Sequence, residues 1–175
     1  MPRSVSMYSA SVPGFIRALG GLAHVLRLGE AHARKEGIAP DALLQLRLIE
    51  DMHPLSRQVQ IATDLARNGA SRLAGRDVVS VADDETTFDQ LQARIARTIA
   101  HLEAFAPTQF DGSESRTVSI KAGDVDMVFD GDGYLFGFVL PNLYFHVTTA
   151  YAILRQAGVP LAKPDFFGRV MPTRD

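Results

Sequence analysis

The chain has 175 residues, 46% hydrophobic and 22% charged, with a formal net charge of −2 and no cysteine. That length is enough for one domain burying roughly two thirds of its unfolded surface, so a single domain over residues 1–175 is expected. The charge gives no electrostatic case for nucleic acid or an anionic membrane, and the absent cysteines exclude disulfides, thiolate zinc, iron–sulfur clusters and cysteine nucleophiles. No run approaches the roughly 18 apolar residues of a membrane span, and Pro13, Arg17, Arg27 and Glu30 break any signal-like core, so a soluble cytoplasmic protein is the expectation.

Residues 10–36 carry Val12, Phe15, Ile16, Leu19, Leu22, Ala23 and Leu26 at helical spacing, with Gly37 placed as a stop. Gly20, Gly21 and Gly29 weaken this first helix or admit a close neighbour. A short helix after Pro40 and an irregular connector from Arg47 to His53 lead to Pro54, a suitable first-turn residue. The second helix then runs to about Ala74, ahead of Gly75, on a stripe of Leu55, Val59, Ala62, Ala66, Gly69 and Leu73. Residues 75–86 read as a polar surface loop, with Asp83, Asp84 and Glu85 as the solvated flank of the next helix. Thr87 and Gln90 form a capping box for the third helix, whose face holds Phe88, Leu91, Ile95, Ile99 and Leu102 and which Pro107 ends. Thr117–Lys121 and Val125–Phe129, joined by Ala122-Gly123-Asp124, predict a β-hairpin. A fourth helix follows Gly133, with Pro141 as a kink, and the tail beyond Gly158 reads as irregular, proline-rich chain. Four amphipathic helices and one hairpin make an all-α four-helix bundle the expected fold.

The fourth helix carries the most informative pattern. Read at helical period from Leu135, its seam is Leu135, Val139, Asn142, His146, Ala150, Ile153 and Ala157, with two polar residues in the middle. A buried Asn and His must be hydrogen-bonded, bound to something, or destabilising. On the second helix Gln58 lies near the Val59 stripe and Gln60 nearly opposite, so Gln58 is the better inward-facing partner. Such a trio supports a structural network that fixes helix register, a small-ligand pocket, or a metal site. His53, just before Pro54, stands at the mouth of the second helix as a capping, proton-shuttling or exposed residue, and Glu50 and Asp51 are the acids nearest to it. His24, His32 and His101 fall off their helices' core faces and are expected at the surface. No Gly-rich phosphate loop, HExxH or Gly-x-Ser-x-Gly motif is present. Leu140, Tyr144, Val147 and Tyr151 form a second apolar stripe on the fourth helix, to be covered either by the hairpin or the tail with Phe166 and Phe167, or by a second copy of the chain; a homodimer is favoured.

The segment PNLYFHVTTAYAILRQAGV (141–159) resembles the last helix of the DinB/YfiT-like superfamily. Together with MYSASVPGFIRALGGL (7–22), RLIEDMHPLSRQVQIATDLA (47–66) and DDETTFDQLQARIARTI (83–99), it resembles an uncharacterised bacterial branch of that superfamily, a domain of unknown function. The resemblance implies a DinB-like bundle, often dimeric. In the wider superfamily it also implies a divalent metal held by one second-helix histidine and by an HxxxH on the fourth, serving thiol transferases or maleylpyruvate-type isomerases. His146 matches the second histidine of that motif, and Asn142 replaces the first. The second-helix ligand is replaced by Gln58 by periodicity, or by Gln60 when counted back from Gly75. Amide oxygens are weak ligands for such a cation, so the resemblance carries over as a degenerate metal site in a non-catalytic or small-ligand-binding module, with no cofactor assigned. The alternative is an enzyme related to those transferases and isomerases. It would hold a divalent metal through His146 and His53 with Glu50 or Asp51, or use His146 as a metal-free general base.

Overall fold

Caps and stops fall close to where the residues place them. The computed structural model describes residues 5–168, so the outermost residues of the expected domain, and Pro172 of its tail, lie outside the described residues. Helix α1 (Met7–Lys35) starts at Ser6, whose side chain exchanges capping hydrogen bonds with Ser9. A single turn, α2 (Pro40–Leu43), precedes α3 (Leu55–Leu73), for which Pro54 is the N-cap. Helix α4 (Phe88–Glu103) has the expected capping box: Thr87 Oγ1 accepts the Gln90 N–H at 3.2 Å, and Gln90 Oε1 accepts the Thr87 N–H at 3.1 Å. Strands β1 (Val118–Ala122) and β2 (Val125–Phe129) pair antiparallel from Val118 opposite Phe129 to Ala122 opposite Val125. Gly123, at φ +61°, makes the two-residue turn.

Both α1 and α3 pack between α4 and α5 (Leu140–Gln156), so α1 and α3 occupy diagonal corners of the bundle and α4 and α5 the other two. The long α1–α3 and α4–α5 connections are what this arrangement requires, since each crosses a diagonal. Leu19, Leu22 and Leu26 of α1, Val59, Ala62 and Ala66 of α3, Leu91 and Ile95 of α4, and Leu143 and Ile153 of α5 fill the centre. Close approach is bought with missing side chains: a Cβ on Gly29 would lie 2.8 Å from Leu154 Cδ2, and one on Gly69 2.8 Å from Val139 Cγ1. Gly20, in contrast, has nothing within 4 Å of where a Cβ would be, so no neighbour explains it.

The fourth long helix departs from its expected phase. Gly133–Val139 is π-helical, and the Leu140 N–H reaches back to the Leu135 carbonyl, five residues earlier. The wider turn lies just ahead of Pro141, whose ring crowds the carbonyl four residues back and which lacks an N–H to give it. Extrapolating the 3.6-residue period from Leu135 and Val139 therefore misplaces the first turns beyond it, although Ala150 and Ile153 still fall in the core as expected. Leu143 and Val147 take the core positions, while Asn142 and His146 are turned to its edge and only half-buried. Val147, read above as part of an outer stripe, is 1% exposed.

The tail is not wholly irregular. Its residues Lys163–Phe167 form a short helix, α6, which lies on α1 with Phe166 edge-on to Tyr151 at 5.9 Å. The Phe166 carbonyl sits where a side chain on Gly21 would be, since a Cβ there would be 2.4 Å away. Part of the second stripe is thus covered within the chain. Tyr144 remains 43% exposed.

Candidate functional site

Gln58 projects from the first turns of α3 with 1% exposure, and a buried amide must satisfy both of its ends. Its Nε2 donates to the His53 carbonyl at 2.9 Å, which fixes the orientation of the amide and turns Oε1 towards α5. There Oε1 lies 2.7 Å from His146 Nδ1. An amide oxygen only accepts, so Nδ1 carries the proton, and Nε2 of a neutral imidazole keeps its lone pair. Burial, then the positive fields of His53 and Arg57, push the His146 pKa down to about 4, so the ring is neutral at pH 7. Phe145 stands edge-on to the imidazole with centroids 5.2 Å apart. The arrangement offers one oriented acceptor nitrogen, backed by an amide and a main-chain carbonyl.

The other residues singled out above go elsewhere. Asn142 donates from Nδ2 to the Phe138 carbonyl of its own helix at 2.7 Å and does not join Gln58. That bond serves a carbonyl next to the π turn. Gln60, on the opposite face from Gln58, donates to Glu85 Oε2 at 3.0 Å. His53 contributes its carbonyl, while its side chain is exposed, as are Glu50 and Asp51. Among the described residues no carboxylate pairs with His53 or His146, and no group of three His, Cys, Asp or Glu side chains is placed to hold a metal ion. His24 and His101 are half-buried rather than solvated: His24 Nε2 is 3.1 Å from Asp165 Oδ1, and His101 Nε2 is 3.1 Å from Ser71 Oγ. His32 is also half-buried.

One polar constellation was not visible as such in the chain. Arg94 of α4 is 2% exposed, and each of its three nitrogens is hydrogen-bonded. Nε donates to Thr63 Oγ1 at 2.8 Å; the terminal nitrogens reach the Ala82 carbonyl at 2.8 Å, Glu85 at 3.1 Å, Asp64 at 2.9 Å and Asp83 at 3.0 Å. Arg57 also pairs with Asp83, and Arg67 approaches Asp64 at 3.6 Å, so three arginines face three carboxylates. Glu85 is therefore buried and not a solvated flank, and Gln60 belongs to this cluster. Burial works against the Arg94 charge, but the hydrogen bonds to Glu85 and the fields of Asp64, Glu85 and Asp83 outweigh it and raise its pKa. The cluster binds the 76–87 loop to α3 and α4, a structural task. The available signal was a charged residue three positions after Leu91 and four before Thr98, on the inner face of its helix.

With this geometry in place, comparison with known proteins gives a consistent answer. The model of a domain of unknown function, DUF1993, matches residues 7–167. The chain belongs to that family. It is also similar to a DinB family member protein from Shewanella denitrificans whose crystal structure is known, at 36% identity and a TM-score of 0.89, over 97% of this chain and 95% of that one. The protein is thus a DinB-like bundle of the DUF1993 branch. No curated protein matches it significantly. Among its described residues, no helix is long and apolar enough to cross a membrane.

Proposed function

We propose that this DUF1993 protein is a DinB-like bundle whose metal site has degenerated into a small-ligand module centred on His146. The observation that carries this reading is the saturation of Gln58. At the position where the superfamily resemblance implies a metal-binding histidine, both ends of the amide are spent, one on His146 Nδ1–H and one on the His53 carbonyl. One imidazole nitrogen remains, and Asn142, whose Nδ2 is held by its own helix, adds no more than a weakly ligating amide oxygen. One neutral nitrogen and one weak amide oxygen do not fit a divalent cation that takes three or more protein ligands. The nitrogen fits a small molecule offering an N–H or O–H, for which His146 Nε2 is the acceptor.

Metal analysis of protein purified without a polyhistidine tag tests this directly. The expected content of zinc, nickel, manganese and iron is far below one equivalent. A full equivalent, lost on His146→Ala, would overturn the proposal. A second reading, an enzyme using His146 as a metal-free general base, draws on the same neutral ring and free Nε2. Among the described residues, the exposed Glu50 and Asp51 make no ion pair and give it no carboxylate partner. We also propose self-association through the outer face of the fourth long helix, where Tyr144 and Phe145 of α5 and Phe136 of the π-helical segment remain exposed.

A further inference from the structure

A cavity, which none of Gln58, His53 or His146 lines, lies between α1 and the C-terminal α6. It has a volume of about 660 Å³ and is bordered on α1 by Arg17, Gly20, His24 and Arg27, and on the other side by Asp165 and Phe167. The α1 residues recur at three- and four-residue intervals and so form one stripe, cationic at both ends and bare in the middle. Gly20 is the bare position. A Cβ there would meet nothing within 4 Å, so no packing contact requires the glycine, although a helix-interior glycine is less stable than alanine. Among the described residues, neither Arg17 nor Arg27 forms an ion pair with a carboxylate. The carboxylate that lines the groove among the described residues is already engaged: Asp165 Oδ2 accepts the Ala162 N–H at 2.7 Å, and Oδ1 faces His24 Nε2 at 3.1 Å. Among the described residues, two arginines face one satisfied carboxylate, which leaves the groove net positive. Phe167 supplies an apolar wall, and Lys163 Nζ lies 5.6 Å from its ring, adding positive charge nearby.

We propose that this groove binds a small organic anion, a phosphate or carboxylate on an apolar body, with Arg17 and Arg27 holding the charged group and Phe167 the body. A guanidinium suits an oxyanion because it presents donors in a fork, one is available at each end of the groove, and the cavity is far larger than an inorganic ion. Gly20 leaves the floor open for the ligand.

The test is calorimetric titration of the full chain with phenyl phosphate, and separately with inorganic phosphate. Phenyl phosphate should bind one to one and about tenfold or more tighter than inorganic phosphate, the difference reflecting burial of the ring. Arg17→Gln and Arg27→Gln should each weaken it about tenfold, as expected when a charged hydrogen bond is lost. Gly20→Leu should abolish binding by filling the floor while leaving the thermal midpoint unchanged or higher, because nothing opposes its side chain in the unliganded protein. No saturable binding of phenyl phosphate, or binding that survives all three substitutions in folded protein, would overturn the proposal. Equal affinity for the two probes would do so as well, since it would deny the apolar body a place.

Discussion

His146 and Asn142 stand one helical turn apart, yet their different partners predict different consequences of removal. His146→Ala takes the Nδ1–H from the buried Gln58 oxygen and leaves a void beside α3, a loss of about 1–3 kcal/mol in urea melts. Asn142→Leu removes only a bond within its own half-exposed helix surface and should change stability by about 0.5 kcal/mol or less. Equal costs would contradict the distinct environments. The same imidazole predicts a pH dependence. Its folded pKa of about 4 lies below the ordinary 6.5, so the folded state binds fewer protons than the unfolded chain between those values. Its contribution to stability is therefore complete above about pH 6.5 and is lost as pH falls towards 4. Because the ring is half-exposed and screened by solvent, the contribution is about 1–2 kcal/mol rather than the full equivalent of the shift. Urea melts at pH 7.5 and 4.5 measure it: wild type should lose that much more than His146→Gln, and parallel losses would reject a depressed pKa.

At the scale of elements, the Arg94 cluster predicts the larger effect. Arg94→Ala would leave the buried Glu85 without a cation, and Asp64 and Asp83 with only Arg67 and Arg57, and should cost about 3–5 kcal/mol, with faster amide exchange across residues 76–87. Asp84→Ala, on an exposed neighbour outside the network, should change stability by about 0.5 kcal/mol or less, and comparable losses would show that the cluster does not hold the loop. These elements also show what the chain reveals. The α3 stripe from Leu55 to Leu73 is buried at every predicted position, because an uninterrupted α-helix keeps its period. The capping box at Thr87 is legible because it depends on residues three apart. On the inner face of α5, Ala150 and Ile153 are legible but Leu143 and Val147 are not, because the π turn at Gly133–Val139 resets the phase and a period count has no term for it. Gln58 was separable from Gln60 by its nearness to Val59, whereas counting back from Gly75 pointed to the residue that joins Glu85 instead. The fate of Glu85 depended on Arg94 arriving from a different helix, and no local pattern encodes such a meeting.

At the scale of the whole molecule, the question is what surface the bundle leaves uncovered. The outer face of α5 was expected to carry a continuous apolar stripe, and folding divides it: Val147 goes to the core and Tyr151 packs on Phe166. What remains is Phe136 at 54%, Tyr144 at 43% and Phe145 at 54% exposure, three large side chains on one long helix. Large aromatics left in water at neighbouring positions are costly, and a two-fold contact buries the same face on both copies at once. A second chain is therefore the expected occupant of this face, with α6 already accounting for the rest. Light scattering at micromolar concentration should give about twice the 19.1 kDa of one chain. Tyr144→Glu and Phe145→Glu should each return it to the monomer mass, because either would place an unpaired charge in the contact. A wild-type mass near that of one chain would reject the dimer. A dimer that persists in both variants would place its interface on another face of the bundle.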